Sequence, residues 1–142
     1  MTEAMLSRPE PKHTPVNEPF WRAAAEGRLA TPKCEACGER HFPPAPRCPH
    51  CLSDRIGWSP VSGRGNLVSW VVFHQCYWDS VREELPYLVA TVDLEEGVRL
   101  LTNLVGEAGN APRYGMELEV TFRPLASGEQ LPVFKAANDR AS

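Results

Sequence analysis

Four cysteines between residues 34 and 51 constrain the fold of this chain more than any other feature. Cys34 pairs with Cys37 and Cys48 with Cys51 in two Cys-x-x-Cys units, and ten residues separate the units. A two-residue spacer lets the chain turn tightly, so both sulfurs of a unit can face one ion. Two units supply the four thiolates that a tetrahedral structural zinc needs. Because the loop between them is shorter than is usual for such sites, the spacing predicts a tight ribbon.

Other roles for the four thiols are disulfides, redox chemistry and iron binding. Disulfides are typical of secreted chains, and the N-terminus lacks the charged and apolar segments of a signal peptide. A redox Cys-x-x-Cys needs a thioredoxin-like βαβ setting, which the pattern does not provide. Iron, as in rubredoxins, uses the same ligands as zinc, so the sequence leaves the metal open. Four protein ligands leave no position for a catalytic water, so we expect a structural site.

Size and charge exclude several classes of protein. The chain has 142 residues, 42% of them hydrophobic, and a formal net charge of −3. This length suits one ordinary domain or two small ones. A general nucleic-acid binder usually has a basic excess, so we do not expect nucleic acid as the main partner. With no apolar run as long as a membrane span, we expect a cytoplasmic protein with reduced thiols.

The N-terminal part is predicted to contain a flexible tail over residues 1–16 and then one short helix. Asn17 is a candidate N-cap, and the helix is expected from Glu18 to about Glu26, ending at Gly27. Phe20 and Trp21 lie on neighbouring faces of this helix. Either both pack on the ribbon and the following domain, or one is exposed to contact a partner or ligand.

Histidines and cations accompany the cysteines. His41 and His50 are expected to be bystanders, because four cysteines already complete the ligand set. Lys33, Arg40 and Arg47 place positive charge around the ribbon. These cations either offset the anionic metal site as solvated charges or provide a binding site for phosphates.

The pattern changes to period two after residue 63. Strands are predicted over residues 66–74, 87–94, 98–105, 116–122 and 131–136. Apolar residues on both faces of the first strand suit a barrel strand that is also covered outside. Five short strands with one long loop after the first fit a small Greek-key barrel, the OB-fold. The predicted class is therefore mainly β, with a helix and rubredoxin-like zinc ribbon over 17–60, a five-stranded OB-fold barrel over 61–137 and a tail over 138–142.

The loop after the first barrel strand carries two candidate functional features. Cys76 lies outside the metal set, near His74 and Asp79, and a Cys/His pair can be catalytic. Directly after Cys76, Tyr77 and Trp78 are of the type enriched at interface anchors, although simple capping of the barrel would also explain them. No nucleophile elbow, Walker loop or dinucleotide fingerprint is present, so we expect no catalytic set in this chain.

Nearly the whole chain resembles one known family. The matching segments are Pro19-Phe20-Trp21, Gly27-Arg28-Leu29, Cys34-x-x-Cys37-Gly38, Phe42-Pro43-Pro44, Cys48-Pro49-x-Cys51, Ser62-Gly63-Arg64-Gly65, Pro86-Tyr87, Glu95-Glu96-Gly97-Val98-Arg99-Leu100 and Gly115-Met116-Glu117-Leu118-Glu119-Val120. Their order resembles the zinc-ribbon plus OB-fold family, long catalogued as a domain of unknown function, whose members accompany thiolases and lipid-transfer-type thiolase homologues. Some members have lost the cysteines, so all four here favour a metal-bound ribbon.

The resemblance implies a non-catalytic subunit in a hetero-oligomer with a thiolase-like catalytic subunit, a thiolase or an aldolase. Such a subunit helps to bind or channel the acyl-CoA, in lipid or aromatic degradation. The resemblance assigns CoA contact to the helix with Phe20 and Trp21, with Arg28, Lys33 and Arg40 toward the phosphates.

Two alternatives stay open from the sequence. OB-folds and zinc ribbons also bind single-stranded nucleic acid through basic grooves and stacking aromatics, and Trp70, Tyr77 and Trp78 are of the right type. A rubredoxin-like electron carrier would use the same four thiolates with iron.

Overall fold

The computed structural model describes residues 12–74 and 87–137. Within these residues the chain forms a helix, a two-stranded ribbon and a five-stranded sheet, which confirms the mainly β class. No helix in the described ranges is long and apolar enough to cross a membrane. The elements in chain order are α1 (Glu18–Ala25), β1 (Ala30–Cys34), β2 (Ile56–Pro60), β3 (Arg64–Phe73), β4 (Tyr87–Leu94), β5 (Arg99–Asn103), α2 (Glu107–Asn110), β6 (Glu117–Pro124) and β7 (Gln130–Ala136).

Helix α1 lies where the sequence predicts it, but its N-terminus is built differently. Asn17 precedes the helix without making a side-chain cap. Its Oδ1 atom instead accepts a hydrogen bond from the Thr14 backbone N–H at 2.8 Å, and the Thr14 carbonyl accepts one from the Glu18 N–H at 2.9 Å. Asn17 is therefore the N-cap residue, as predicted, but its side chain does not cap the helix, because the turn from Thr14 to Asn17 already occupies it. Gly27 follows the helix with φ of +75°.

The ribbon consists of β1 and β2 in antiparallel register, from Ala30 opposite Pro60 to Cys34 opposite Ile56. The first cysteine unit begins at the last residue of β1, and the second lies in the turn before β2. The sequence pattern did not predict β2. With a glycine and a proline among five residues, β2 lacks a recognisable strand pattern.

The barrel sheet has the strand order β5-β4-β3-β6-β7. Its two ends meet at one parallel bridge between Leu104 and Phe134, where the Val105 N–H donates to the Phe134 carbonyl at 2.9 Å. This contact nearly closes the sheet and confirms the predicted five-stranded barrel. The turn-rich segment before β6 contains the short helix α2, which the sequence did not predict.

Strand β3 is covered over only part of its length in the described residues. It pairs with β4 throughout but with β6 only over its first three residues. Leu67 is 1% exposed, whereas Val71 and Val72 are 56% and 45% exposed. The expectation that both faces of this strand are covered is wrong for its C-terminal half, where Val71 and Val72, on opposite faces, are both exposed.

Two glycines allow β3 to approach its neighbours closely. A Cβ atom at Gly65 would lie 2.3 Å from the backbone oxygen of Asp93 on β4. At Gly63, which has φ of +79°, a Cβ atom would lie 2.3 Å from Cγ1 of Val120 on β6. The start of the barrel therefore needs glycine at both positions.

The core of the barrel extends into the N-terminal part. Leu29 is 3% exposed and belongs to the same buried cluster as Leu67, Val92 and Phe134 of the barrel. Phe20 of α1 and Phe42 of the ribbon pack against this cluster. The Val61 N–H donates to the Leu29 carbonyl at 2.9 Å. Helix, ribbon and barrel thus share one apolar interior.

Candidate functional site

The four cysteine sulfurs come together at one end of the ribbon. All four Sγ atoms lie within 4.8 Å of one another. Cys34 Sγ lies 3.6 Å from Cys51 Sγ, and Cys37 Sγ lies 3.7 Å from Cys48 Sγ. These separations are too long for disulfide bonds of about 2.05 Å. They agree with the edge of about 3.8 Å that a tetrahedron of sulfurs has around a metal at about 2.3 Å.

Both cysteine units use the same turn. The Gly38 N–H donates to the Cys34 carbonyl at 2.9 Å, and the Leu52 N–H donates to the Cys48 carbonyl at 2.8 Å. Backbone N–H groups also face the sulfurs, from Cys37 to Cys34 Sγ at 3.5 Å and from His50 to Cys48 Sγ at 3.3 Å. The turns therefore bring both sulfurs of each unit together and direct donors at them.

The thiols of the cluster have unequal acidity. The backbone N–H of Cys37 is the largest of the effects that lower the pKa of Cys34, to about 6. The backbone N–H of Glu39 lowers the pKa of Cys37, but burial and the hydrogen bonds with neighbouring thiols outweigh it and raise that pKa to about 12. The cluster thus disfavours four bare thiolates, whereas a divalent cation at its centre would compensate their repulsion.

The arrangement of the cluster suits a structural metal. Cys34 and Cys48 are buried, and Cys37 and Cys51 are exposed. The four sulfurs can fill every position around a tetrahedral ion, which leaves none for a substrate or water. The cluster can therefore join the two turns of the ribbon.

The two histidines near the cluster are not among its grouped donor atoms. His41 is 6% exposed, and neither ring nitrogen has a hydrogen-bond partner in the described part of the chain. Burial, followed by the charge of His50, lowers the pKa of His41. A buried neutral ring fits the loop-packing role that the sequence suggested for His41.

Phe20 and Trp21 form an aromatic cluster with Phe42 and His13. The Phe20 ring meets Trp21 edge to face at 4.9 Å between centroids and lies 5.4 Å from Phe42. His13 stacks on Trp21 at 5.8 Å with an interplanar angle of 14°, and its Nε2 atom pairs with Glu129 before β7. Both α1 aromatics are half-buried, so neither extends freely into solvent.

A cavity of about 220 Å³ lies between this aromatic cluster and the barrel. Its lining on one side comes from Phe20, Trp21, Leu29 and Phe42. On the other side the lining comes from β5 and β7, through Leu100, Leu101, Thr102, Leu131, Pro132 and Phe134. This cavity was not predictable from the sequence, because its lining comes from four separate parts of the chain. The nearest sequence signal was the pair of aromatics on a short alanine-rich helix.

The three predicted phosphate contacts lie in different environments. Lys33 is exposed on β1. Arg28 is exposed and paired with Glu26. Arg40 is held across the ribbon, because its guanidinium donates to Thr31 Oγ1 at 3.0 Å and to Ser59 Oγ at 3.1 Å. The structure does not bring these cations together with the aromatics through any contact among the described residues, and their role in phosphate binding stays a prediction.

The remaining candidates lie outside the described residues. These are Cys76, for which no catalytic role is expected, and the loop aromatics Tyr77 and Trp78. The contact role of the two aromatics stays a prediction.

Two protein families match adjoining parts of the chain, which together make up most of it. The family described as "ChsH2, rubredoxin-like zinc ribbon domain" matches residues 21–57. The family described as "ChsH2, C-terminal OB-fold domain" matches residues 58–123. The boundary between the two matches falls within β2.

The names of two curated relatives describe subunits of enzymes that act on CoA thioesters. The "probable enoyl-CoA hydratase alpha subunit" of Thermomonospora curvata is 38% identical over 132 residues, which are 92% of this chain and 40% of that protein. The chain thus spans well under two thirds of this relative. The "benzoylsuccinyl-CoA thiolase subunit BbsA" of Thauera aromatica is 29% identical over 127 residues, covering 82% of this chain and 85% of that protein.

A solved structure extends the likeness to three dimensions. A chain in the structure described as "Ltp2-ChsH2(DUF35) aldolase" aligns with a TM-score of 0.80 and 36% identity, over 90% of this chain and 99% of that one. With both domain matches in the same order as the ribbon and the barrel, this chain belongs to the DUF35 family of ChsH2-type zinc-ribbon and OB-fold proteins.

Proposed function

We propose that this chain is a non-catalytic, zinc-binding accessory subunit of a thiolase-like acyl-CoA enzyme, a thiolase or an aldolase. One observation carries the proposal: the chain aligns with 99% of a DUF35 chain in the Ltp2-ChsH2(DUF35) aldolase structure at 36% identity. The relative BbsA is likewise named as a subunit of a thiolase. The chain would act in the cytoplasm, where its four thiols stay reduced.

The proposed metal is zinc, held by Cys34, Cys37, Cys48 and Cys51. The donor chemistry and the sulfur separations of 3.6 and 3.7 Å support it. Zinc in such a site is redox-inert and supplies folding energy instead of catalysis. Catalytic residues would then belong to the partner subunit.

The proposed contribution of this chain to the reaction is to bind or channel the acyl-CoA. Exposed Lys33 and Arg28 would contact the CoA phosphates. Arg40 would mainly hold β1 and β2 together beside these two cations. The helix with Phe20 and Trp21 would face the less polar part of the thioester. Tyr77 and Trp78 stay proposed contacts to the partner or to the ligand.

Purification from the native organism tests the accessory-subunit role. The tagged chain, purified at moderate salt, should bring down a thiolase-like protein at a one-to-one ratio, identified by mass spectrometry. A chain that never co-purifies with a thiolase-like protein, even when both are co-expressed, would contradict the proposal. Nucleic acid in the eluate that dissociates with salt would favour the OB barrel as a nucleic-acid-binding module.

A variant of the complex tests the phosphate contact. Lys33→Ala should raise the KM for the acyl-CoA about fivefold without loss of the complex, which corresponds to about 1 kcal/mol for an exposed ion pair. Lys135→Ala, which removes a lysine from the barrel strand β7, is the matched control and should leave the KM unchanged. Equal KM values for both variants would remove Lys33 from the proposed contact.

A further inference from the structure

The apolar cavity under α1 lies where the barrel is incompletely closed. β5 and β7 meet at the bridge between Leu104 and Phe134. Before that bridge, the Thr102 hydroxyl donates to the Pro132 carbonyl at 3.3 Å, and the two strands are not neighbours in the ladder of the sheet. We call this gap between β5 and β7 the seam. Helix α1 packs beside β7, so Phe20 and Trp21 cover the seam from outside.

The lining of the cavity selects against charged and polar ligands. Among the described lining residues, the polar side-chain groups are the Thr102 hydroxyl, which donates to Pro132, and the indole N–H of Trp21. A phosphate or carboxylate would therefore lose most of its hydration in exchange for at most one neutral donor. An apolar group fits, because a dry apolar cavity of about 150 Å³ is already large enough to bind benzene.

The size of the cavity limits the ligand. A volume of about 220 Å³ holds about seven water-sized groups at about 30 Å³ each. That is enough to enclose one aromatic ring with a short substituent, or a chain of about seven carbons.

The aromatic side of the cavity is preformed. Phe20 is held between Trp21 and Phe42 by ring contacts at 4.9 and 5.4 Å. The stacked His13, paired with Glu129, fixes Trp21 from its other side. Since Glu129 directly precedes β7, the same pair ties the turn before α1 to the barrel. Sites for small ligands are usually preformed and mostly apolar in this way.

From these observations we propose that the seam cavity binds the apolar acyl or aryl end of a CoA thioester, in a segment of about seven carbons. This inference rests on the proposed function, because that function supplies the thioester. It goes further in assigning recognition of the acyl group to this chain instead of leaving it entirely to the catalytic subunit. The mouth of the cavity is marked by Leu101, which lines it and is 74% exposed.

Calorimetric titration of the zinc-loaded full chain with acetyl-, butanoyl-, hexanoyl-, octanoyl- and decanoyl-CoA tests this assignment. Each methylene that enters the cavity should tighten binding about fourfold. The gain should level off beyond about seven carbons, where the cavity is full. CoA itself should bind no more tightly than acetyl-CoA.

A blocking variant separates the cavity from general apolar adsorption. Leu101→Trp, which places a large side chain at the mouth, should abolish the dependence on chain length. Val71→Trp is the matched control, because Val71 is exposed on β3 and does not line the cavity; it should retain the full dependence. Both variants should keep one zinc per chain and the thermal midpoint of the parent.

Three results would overturn the proposal. The first is equal affinity across the series, and the second is an unchanged chain-length dependence in Leu101→Trp. The third is binding that appears only after removal of residues 1–11, which would make the chain's own N-terminal segment the occupant. If the chain forms a complex with the catalytic subunit but its affinity for acyl-CoA does not depend on acyl-chain length, the inference is refuted and the proposed function stands. If the affinity depends on acyl-chain length but no such complex forms, the proposed function alone is refuted.

Discussion

Leu52 adopts a backbone conformation that glycine adopts at the matching position of the other cysteine turn. Gly38 and Leu52 each follow the second cysteine of a unit, with φ of +80° and +66°. Leu52 is the only non-glycine residue with positive φ in the described part of the chain. Its side chain is 70% exposed, so packing within the chain does not compensate for the conformation. A left-handed conformation costs an ordinary residue about 1–2 kcal/mol.

Leu52→Gly should therefore stabilise the zinc-loaded chain by about 0.5–1 kcal/mol. Relief of the left-handed conformation exceeds the extra entropy that glycine loses on folding. Urea unfolding should show the change as a higher midpoint with an unchanged slope. Leu52→Ala is the control, because it removes most of the side chain but keeps the Cβ atom, and it should give no comparable gain. Equal midpoints for both variants would contradict the explanation.

Arg40 illustrates what the sequence could not specify at this scale. The spacing of the cysteines was enough to predict that their sulfurs meet, because the two-residue spacer fixes the turn locally. The position of the Arg40 guanidinium depends on Thr31 and Ser59, which belong to two different strands. Since β2 was not predicted, its acceptors for Arg40 were invisible in the sequence.

At the scale of elements, the ribbon depends on its metal more than the barrel does. β1 and β2 form a pair of five-residue strands, and an isolated two-stranded pair is marginally stable at best in water. Binding of zinc to such sites supplies about 10–16 kcal/mol of apparent free energy at pH 7. The barrel has five strands, and most of the shared buried cluster lies on them.

Removal of zinc should unfold the ribbon and leave the barrel folded. In Cys48→Ser, or after chelation, amide exchange should accelerate at Thr31 and Lys33 of β1 but stay slow at Val92 of β4. Cys76→Ser is the control, since Cys76 belongs to neither Cys-x-x-Cys unit, and it should retain zinc. Slow exchange of the β1 amides in the metal-free chain would contradict this dependence.

Acid should have the same effect as chelation, because zinc binds thiolates and competes with protons. Cys34 has the lowest pKa of the three cysteines whose pKa is shifted, at about 6. Below that pH even this thiol is protonated. Zinc affinity should therefore fall as the pH falls. The amides of β1 should then lose their protection against hydrogen exchange at the pH at which zinc is lost.

The barrel strands were predictable because period-two patterns are local, and the predicted 87–94 coincides with β4 (Tyr87–Leu94). The bounds of the other barrel strands differ by one or two residues, where pairing with a neighbour decides the end. The structure places β3 at Arg64–Phe73, so it begins two residues before the prediction. There Arg64 and Gly65 pair with β6, a contact that the sequence pattern does not encode.

At the scale of the whole molecule, Phe42 connects the ribbon to the helix and the barrel. It lies 5.4 Å from Phe20 between ring centroids and packs against the barrel core. Leu29 enters that core directly. The two parts of the chain should therefore unfold together while zinc is bound.

Phe42→Ala should uncouple the two parts. A fully buried phenylalanine costs about 3–5 kcal/mol when truncated to alanine, and the half-buried Phe42 should cost less, about 1–2 kcal/mol. Calorimetry of the zinc-loaded chain should show one transition for the parent and two for the variant. Tyr114→Ala, at a side chain that is 80% exposed, should keep one transition. Two transitions in the parent would contradict the shared interior.

The arrangement of the whole molecule was predictable only in part. Five strands and one long loop were enough to choose the barrel, because few folds accommodate them. The seam cavity was not predictable, since it arises where α1, Phe42 and the two end strands of the sheet meet. Contacts between segments that lie about 80 residues apart leave no periodic trace in one sequence.

The close approach of β3 to its neighbours sets how much variation the gene can accept at two codons. In a library holding every single substitution, selected for folded chains, Gly63 and Gly65 should be almost invariant, since even alanine would place a Cβ atom 2.3 Å from Val120 or Asp93. Gly38, where a Cβ atom meets nothing within 4 Å, should accept substitutions at a smaller penalty. Gly63 and Gly65, at the turn that opens the barrel, would thus be the least variable glycines in such a library, although neither has a role in metal or ligand binding.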